Sequence, residues 1–270
     1  MNKNKKVIYL LLVVILIITF IFILQKNRKE TIVTNSNATE YDNKKIGWGI
    51  KRSNNNEQPD LGSTNKKLID ENGDIAMGNK EDKFVYLTFD EGYEAGYTEK
   101  ILDTLKANEV TAAFFITGHY LNTQEELVKR MIDEGHIVGN HTVNHPSMPD
   151  LDDEKLKEEI TKLHTTVYEK FGYEMKYLRP PKGEFSQRTL HITKSLGYTT
   201  VMWSFAYDDW DENKQGREEY AKEKILSNLH NGAVILLHAN SKDNCNILDE
   251  IIKEIKNQGY EFKTLDEFRK

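Results

Sequence analysis

Apolar residues form one long uninterrupted run near the N-terminus and several short runs after residue 84. The long run covers residues 7–24, which read VIYLLLVVILIITFIFIL and follow three lysines. A span of about 18 or more apolar residues can cross a bilayer as a helix, whereas the apolar region of a cleaved signal peptide has roughly 7–15 residues. No Ala-x-Ala cleavage pattern follows the run. The pattern therefore predicts an uncleaved transmembrane anchor, with the rest of the protein on one side of the membrane.

Beyond residue 84 the short apolar runs alternate with amphipathic helical segments. The helical pattern is clearest over residues 152–171, where apolar residues recur every three or four positions. Thr123 and Glu126 form a capping box ahead of a helix that Gly135 should close, and Ser186 is expected to cap another. The predicted strands are 84–89, 112–117, 136–140, 176–179, 199–205, 233–238 and 260–263. This alternation predicts an α/β fold with a mostly parallel sheet, open or closed into a barrel.

Composition limits the possible partners and divides the chain into segments. The net charge of −6 provides no basic field for nucleic acid, and a single cysteine excludes an intrachain disulfide and a thiolate zinc site. Residues 25–80 are polar, although the patch from Gly47 to Ile50 is apolar enough to pack on a domain. The sequence leaves the oligomeric state open. The predicted segments are a basic N-terminus (1–6), the anchor (7–24), a polar linker and N-terminal extension (25–80) and a catalytic domain (81–270).

Polar residues follow five of the predicted strands and carry the candidate chemistry. In a parallel α/β barrel the carboxyl ends of the strands meet at one face, where active sites form. Residues from separate segments would then converge on one cleft, which core packing alone does not explain. These residues are Asp90, Glu91, His141, His145, Arg179, Asp209, Trp210 and His238.

The i, i+4 spacing of His141 and His145 would place both imidazoles on one face of a helical turn, where they could share a metal. By itself, the same spacing is also consistent with histidines that are exposed to solvent or packed in the core and bind no metal. With a nearby carboxylate, two imidazoles suit Zn²⁺, with Co²⁺ or another divalent ion as alternatives. Purely structural interpretations also stay open for the other candidates. The acidic pair could cap a helix, Arg179 could form a structural ion pair, and His238 could be a core histidine with a hydrogen-bond partner.

Five segments resemble, in order, the motifs of the polysaccharide deacetylase family, the NodB-homology domain of carbohydrate esterases. They are Thr88–Glu91 (TFDE), His141–His145 (HTVNH), Arg179–Gly183 (RPPKG), Asp209-Trp210 and Leu236–His238 (LLH). The resemblance implies a distorted (β/α) barrel, to which the anchor would add an N-terminal transmembrane helix. It also implies hydrolysis of an N-acetyl group on a polysaccharide.

Roles for individual residues follow from the same resemblance. Asp90 would be the general base and His238 the general acid, with Arg179 orienting the first and Asp209 tuning the second. Trp210 would line the substrate groove, where we also expect Tyr93 and Pro181. His141 and His145 would bind the metal. Glu91 replaces the aspartate that is the family's third metal ligand, so it could still reach the metal, shift it, or leave the position to water.

The segments TFDEGYEAGY and RPPKGEFS, together with the extension around Trp48, look most similar to the PdaA-type subfamily. That resemblance implies de-N-acetylation of N-acetylmuramic acid on a peptidoglycan glycan strand, leading to muramic δ-lactam in the spore cortex. It also implies an extracytoplasmic catalytic domain, held at the cell envelope by the predicted single-pass anchor. Two alternatives remain: an N-acetylglucosamine or chitooligosaccharide deacetylase, and a catalytically dead wall-binding module that only Glu91 favours.

Overall fold

The structure, a computed structural model, describes residues 41–53 and 56–268, so the predicted anchor at residues 7–24 lies outside the described part. Among the described residues, no helix is long and apolar enough to cross a membrane. Residues 41–53 and 56–80, the described part of the predicted linker and N-terminal extension, belong to the same compact unit as the rest of the described chain. The boundary between linker and extension within residues 25–80 stays a prediction.

Short strands and longer helices alternate along most of the chain. The strands are β1 (Ile46–Gly47), β2 (Phe84–Glu91), β3 (Ala113–Ile116), β4 (Ile137–Asn140), β5 (Tyr177–Leu178), β6 (Glu184–Phe185), β7 (Thr199–Thr200), β8 (Ala233–His238) and β9 (Glu261–Phe262). The helices are α1 (Ser63–Asn72), α2 (Thr98–Ala107), α3 (Gly118–Thr123), α4 (Glu125–Asp133), α5 (Asp153–Phe171), α6 (Gln187–Ser195), α7 (Glu218–Ser227) and α8 (Lys242–Asn257). Short 3-10 segments occupy Met148–Asp150, Pro181–Gly183, Glu212–Lys214 and Leu265–Glu267.

The main sheet is parallel and has the strand order β7-β5-β4-β3-β2-β8, with β9 beside the start of β2. A parallel bridge joins Phe205, which follows β7, to Ile235 in β8. Because β7 and β8 stand at opposite ends of that order, the bridge curls the sheet into a distorted barrel. The prediction of a parallel α/β sheet is confirmed, and the carboxyl ends of its strands share one face.

Side chains of β2 alternate between the two faces of the sheet, as the pleat of a strand requires. Val85, Leu87 and Phe89 pack into the large core beneath the helices, whereas Tyr86 packs into a separate core inside the barrel. The same alternation puts Asp90 on the inner face and Glu91 on the outer face. Adjacent carboxylates at the end of this strand therefore face different environments.

Most helix boundaries follow the sequence pattern, with one exception. Helix α5 begins after the Asp152 cap, and Ser186 caps α6 through a capping box with Thr189. The capping box predicted at Thr123 and Glu126 is wrong. Thr123 is the last residue of α3, where its hydroxyl donates a hydrogen bond to the carbonyl of His119, so α4 begins without a side-chain cap.

The N-terminal extension packs against the barrel through its apolar patch, as predicted. β1 pairs antiparallel with β6, and the backbone N–H of Trp48 donates to the carbonyl of Gly183 at 2.8 Å. The Trp48 indole N–H donates to the carbonyl of Trp203 at 2.9 Å. The extension therefore supports the loop that carries the RPPKG motif.

Candidate active site

A cleft of about 1030 Å³ opens at the carboxyl ends of the strands. The cleft is lined by six of the residues that the sequence singled out: Asp90, Tyr93, His141, His145, Trp210 and His238. Arg179 and Asp209 are buried behind it and contact lining residues. Glu91 and Pro181 do not line it. The structure thus brings together most, but not all, of the predicted site.

Asp90 is held by a guanidinium buried beneath the cleft. Arg179 Nη1 donates to Asp90 Oδ1 at 2.7 Å, and Nη2 donates to the hydroxyl of Thr88 at 2.9 Å. Burial alone would raise the pKa of Asp90, but the charge and hydrogen bond of Arg179, together with the charges of His141 and His238, lower the pKa below 3.8. Asp90 is therefore ionised near neutral pH, and its second oxygen, Oδ2, is not held by Arg179.

His238 lies beside Asp90, because the two residues are paired in register between neighbouring parallel strands. Its Nδ1 hydrogen-bonds Asp209 Oδ1 at 2.9 Å, which leaves Nε2 free. Asp209 also accepts from the backbone N–H of His238 and from the Asn244 side chain. Burial would lower the pKa of His238, but the charge and hydrogen bond of Asp209, together with the charge of Asp90, raise it above 6.5. An imidazole whose protonated form is stabilised by Asp209 thus stands next to an ionised carboxylate.

The two histidines of the HTVNH segment lie in a loop rather than on a helical turn, so the predicted local geometry is wrong. Thr142 has φ 65° and His145 has φ 57°, and both values lie in the left-handed region. The rings still meet, with centroids 4.7 Å apart and a T-shaped arrangement. His141 Nδ1 lies 2.8 Å from the carbonyl of Arg179, so Nδ1 carries the proton and Nε2 is unprotonated, 3.5 Å from Asp90 Oδ2.

The histidine pair suits a divalent metal, but the predicted carboxylate ligand does not join it. Burial lowers the pKa values of His141 and, to about 4, of His145, which keeps both rings neutral as ligands must be. Glu91 points to the outer face of the sheet, where neither carboxylate oxygen has a hydrogen-bond partner and burial raises its pKa well above 4.5. Within the described ranges, no group of three His, Cys, Asp or Glu side chains is arranged to hold a metal ion. The three-ligand set therefore does not form.

Aromatic side chains stand at the rim of the cleft. Trp210 is 59% exposed, and Tyr93 is 37% exposed, with its hydroxyl hydrogen-bonded to Glu212 and to the Asn240 amide. Two exposed aromatic rings beside the cleft are suited to packing against the faces of sugar rings. Pro181, which was expected here, is buried, and the next two residues of its loop line the cleft instead.

Sequence reasoning missed three residues that shape the site. Thr88 stands within the TFDE segment and shares the Arg179 guanidinium with Asp90. Asn244 holds Asp209, and nothing in its local sequence signals this contact because it lies on α8. Lys182 lines the cleft from the RPPKG loop. The signal for Lys182 in the sequence was its position between two residues of the RPPKG motif.

Comparison with known protein families and proteins gives matches that cover the site. Residues 77–201 match the family model described as "Polysaccharide deacetylase". The peptidoglycan-N-acetylmuramic acid deacetylase PdaA of Bacillus subtilis is 45% identical over 231 residues, which are 85% of this chain and 88% of that protein. The peptidoglycan-N-acetylglucosamine deacetylase PgdA of Listeria monocytogenes is 34% identical over 188 residues, which are 70% of this chain and 39% of that protein.

Solved structures agree with these sequence matches. The structure of Bacillus subtilis PdaA, described as a family 4 carbohydrate esterase, superposes with a TM-score of 0.82 at 45% identity. The match covers 84% of this chain and 97% of that structure. The resemblance drawn from the five motifs is thereby confirmed, and so is the barrel architecture that it implied.

Proposed function

The chain belongs to the polysaccharide deacetylase family, and from this premise we propose that it hydrolyses the N-acetyl group of N-acetylmuramic acid in peptidoglycan. The observation that carries the proposal is the placement of Asp90, which Arg179 fixes, beside His238, which Asp209 fixes, at one cleft. The similarity to PdaA over 85% of the chain supports the choice of sugar. Lactam closure and a place in the spore cortex are further parts of the proposal, supported by the same similarity.

The two residues divide the proton transfers of amide hydrolysis between them. Asp90 takes a proton from the water that attacks the acetamide carbonyl, and a tetrahedral intermediate forms. The C–N bond then breaks as His238 gives its Nε2 proton to the departing amine, so that acetate and a free amino sugar result. The freed amine lies next to the lactyl carboxyl group, and their condensation to an amide with loss of water would give the δ-lactam.

Arg179 and Asp209 act through these two groups. The buried guanidinium fixes Asp90 and keeps it ionised, while Asp209 fixes the ring of His238 and keeps its Nε2 protonated. Both are positioning residues, since neither lines the cleft.

Members of this esterase family generally depend on a divalent metal, and zinc remains our expected ion. His141 and His145 have the donor atoms and the neutral protonation state for that ion. Glu91 lies on the other face of the sheet, away from this pair. A bound metal ion would polarise the acetamide carbonyl and acidify the attacking water.

Two alternatives are weaker. A glucosamine deacetylase is supported by the 34% identity to PgdA, which is lower and covers less of the chain. A catalytically dead module is opposed by the intact contacts of Asp90 with Arg179 and of His238 with Asp209. The extracytoplasmic location is proposed because the substrate is cell-wall peptidoglycan, and the membrane anchor remains a prediction from residues 7–24.

Replacing the acid tests the proposal most cleanly. We expect His238→Gln to reduce acetate release from muramic-acid glycans by at least roughly a hundredfold, because general acid catalysis contributes about 10²–10⁴ in rate. Release is measured by mass spectrometry of the glycan. His191→Gln, at an exposed histidine outside the cleft, is the matched control and should retain wild-type release. Full turnover by the His238 variant would refute the assignment.

Asp90→Asn should also abolish turnover, but it needs a check of folding. The substitution leaves the buried Arg179 charge uncompensated, which costs about 3–5 kcal/mol when one partner of a buried pair is removed. Circular dichroism and urea unfolding separate a loss of the base from a loss of the fold.

A further inference from the structure

Among the described residues that line the cleft, Lys182 is the one lysine or arginine. Its side chain is exposed, and no hydrogen bond or ion pair is found for it within residues 41–53 and 56–268. The nearby Asp150 is already paired with Lys45. An ammonium group at the cleft is thus left without a protein partner.

The backbone around Lys182 is fixed in a conformation that a lysine seldom adopts. Lys182 has φ 61°, in the left-handed region, where a side chain costs about 1–2 kcal/mol relative to the right-handed one. The next residue, Gly183, donates to the carbonyl of Pro180 at 3.1 Å and accepts from the N–H of Trp48 at 2.8 Å. A Cβ on Gly183 would meet the Trp203 ring at 2.7 Å. The loop therefore has little freedom to move the lysine away.

The carboxylates of the catalytic pair already have partners, so neither of them is engaged with Lys182. The carboxylate of Asp90 is compensated by Arg179, and that of Asp209 faces the His238 ring. The whole chain has a net charge of −6, so a lysine at the cleft does not reflect a generally basic surface.

We infer that Lys182 binds the lactyl carboxylate of the sugar and so selects muramic acid over glucosamine. The inference rests on the proposed function. N-acetylmuramic acid differs from N-acetylglucosamine by a lactyl ether on the ring carbon next to the one that bears the acetamide. The lactyl carboxylate therefore enters the cleft together with the reacting amide. An ammonium–carboxylate contact discriminates between the two sugars because the neutral sugar gives the lysine no partner.

Binding is measured on the full chain carrying His238→Gln, so that turnover does not consume the ligand. Two muramic-acid glycan fragments are compared by calorimetry, one with free lactyl carboxylates and one with the same groups converted to amides. We expect the free acid to bind up to roughly fivefold more tightly, the ratio that corresponds to one solvent-exposed ion pair. The preference should shrink as salt rises, since the lysine is exposed.

Variants of Lys182 test whether this residue causes the preference for the free acid. Lys182→Met should bring the ratio of the two affinities close to one, and Lys182→Arg should retain most of it. Lys162→Met removes an exposed lysine on α5, outside the cleft, and should leave the ratio at the wild-type value. Because binding does not require catalysis, a chain with the native His238 that releases no acetate would refute the proposed function, whereas a preference for the acid in the His238→Gln chain would still support this inference. Equal affinities in the parent protein, or an unchanged ratio in Lys182→Met, would overturn the inference.

Discussion

At the scale of single residues, the proton on His238 depends on one buried carboxylate. Asp209 bonds both the ring and the backbone of His238, and its charge raises the pKa of the imidazole against the effect of burial. An acid is active only while it holds its proton. Activity should therefore decline as the pH rises through the elevated pKa of His238.

Removing the Asp209 charge should move that decline. In Asp209→Asn the pKa of His238 should fall, because burial then acts without the opposing Asp209 carboxylate. We expect the alkaline limb of the kcat/KM profile to shift to lower pH. Asp208→Asn makes the same chemical change at the neighbouring position, where the carboxylate pairs with Lys214 instead. An unshifted profile in Asp209→Asn would show that His238 is not the titrating acid.

Glu91 shows the limit of sequence reasoning at this scale. The residue types predicted an acidic pair at the end of a strand, and the structure places the pair there. The strand continues through Glu91, however, and the pleat turns adjacent side chains to opposite faces. A sequence pattern does not fix a strand end to one residue, so the metal-ligand role of Glu91 could not be decided from it.

The position of Glu91 leads to a prediction about metal affinity. Zinc binding, followed by calorimetry, should be lost in His141→Ala, whereas Glu91→Gln should change the affinity by no more than about twofold. Two imidazole donors remain in the second variant, and the carboxylate it removes faces the opposite side of the sheet. Loss of zinc binding in Glu91→Gln would mean that the carboxylate reaches the histidines when metal is present.

At the scale of elements, the extension and the RPPKG loop form one supported unit. Trp48 is half-buried between Gly183 and Trp203 and bonds both carbonyls. We expect Trp48→Ala to lower the free energy of unfolding by about 2 kcal/mol, less than the roughly 3–5 kcal/mol for a fully buried tryptophan. Trp210→Ala, at the exposed rim, should change stability by less than about 0.5 kcal/mol and weaken glycan binding instead. Urea unfolding of both variants measures the difference, and equal losses of stability would contradict it.

Elements whose apolar residues follow a clear helical or strand pattern were predictable from the sequence, whereas irregular segments were not. Helix α5 and strand β8 appear where periodicity and apolar runs placed them. The extension contains α1, which buries only Ile69 and therefore gave no amphipathic signal. The HTVNH segment has helical spacing, but left-handed residues at Thr142 and His145 bend it into a loop. Long-range contacts determine that bend, and spacing alone does not reveal it.

At the scale of the whole molecule, strand–helix alternation predicted the parallel sheet, and five motifs in order predicted the family. Convergence of those motifs could be expected because the carboxyl ends of parallel strands share a face. The contacts of Asn244 with Asp209 and of Trp48 with the carbonyl of Trp203 were not predictable, because they join distant parts of the chain.

The central claim is the removal of an acetyl group from muramic acid, and one measurement tests it most directly. The full chain is incubated with zinc and with two glycans, one containing N-acetylmuramic acid and one containing only N-acetylglucosamine, and the products are weighed by mass spectrometry. We predict loss of one acetyl group per muramic acid, with further loss of water where the lactam closes, and little change in the glucosamine glycan. Acetyl loss confined to the glucosamine glycan, or no loss from either, would contradict the account.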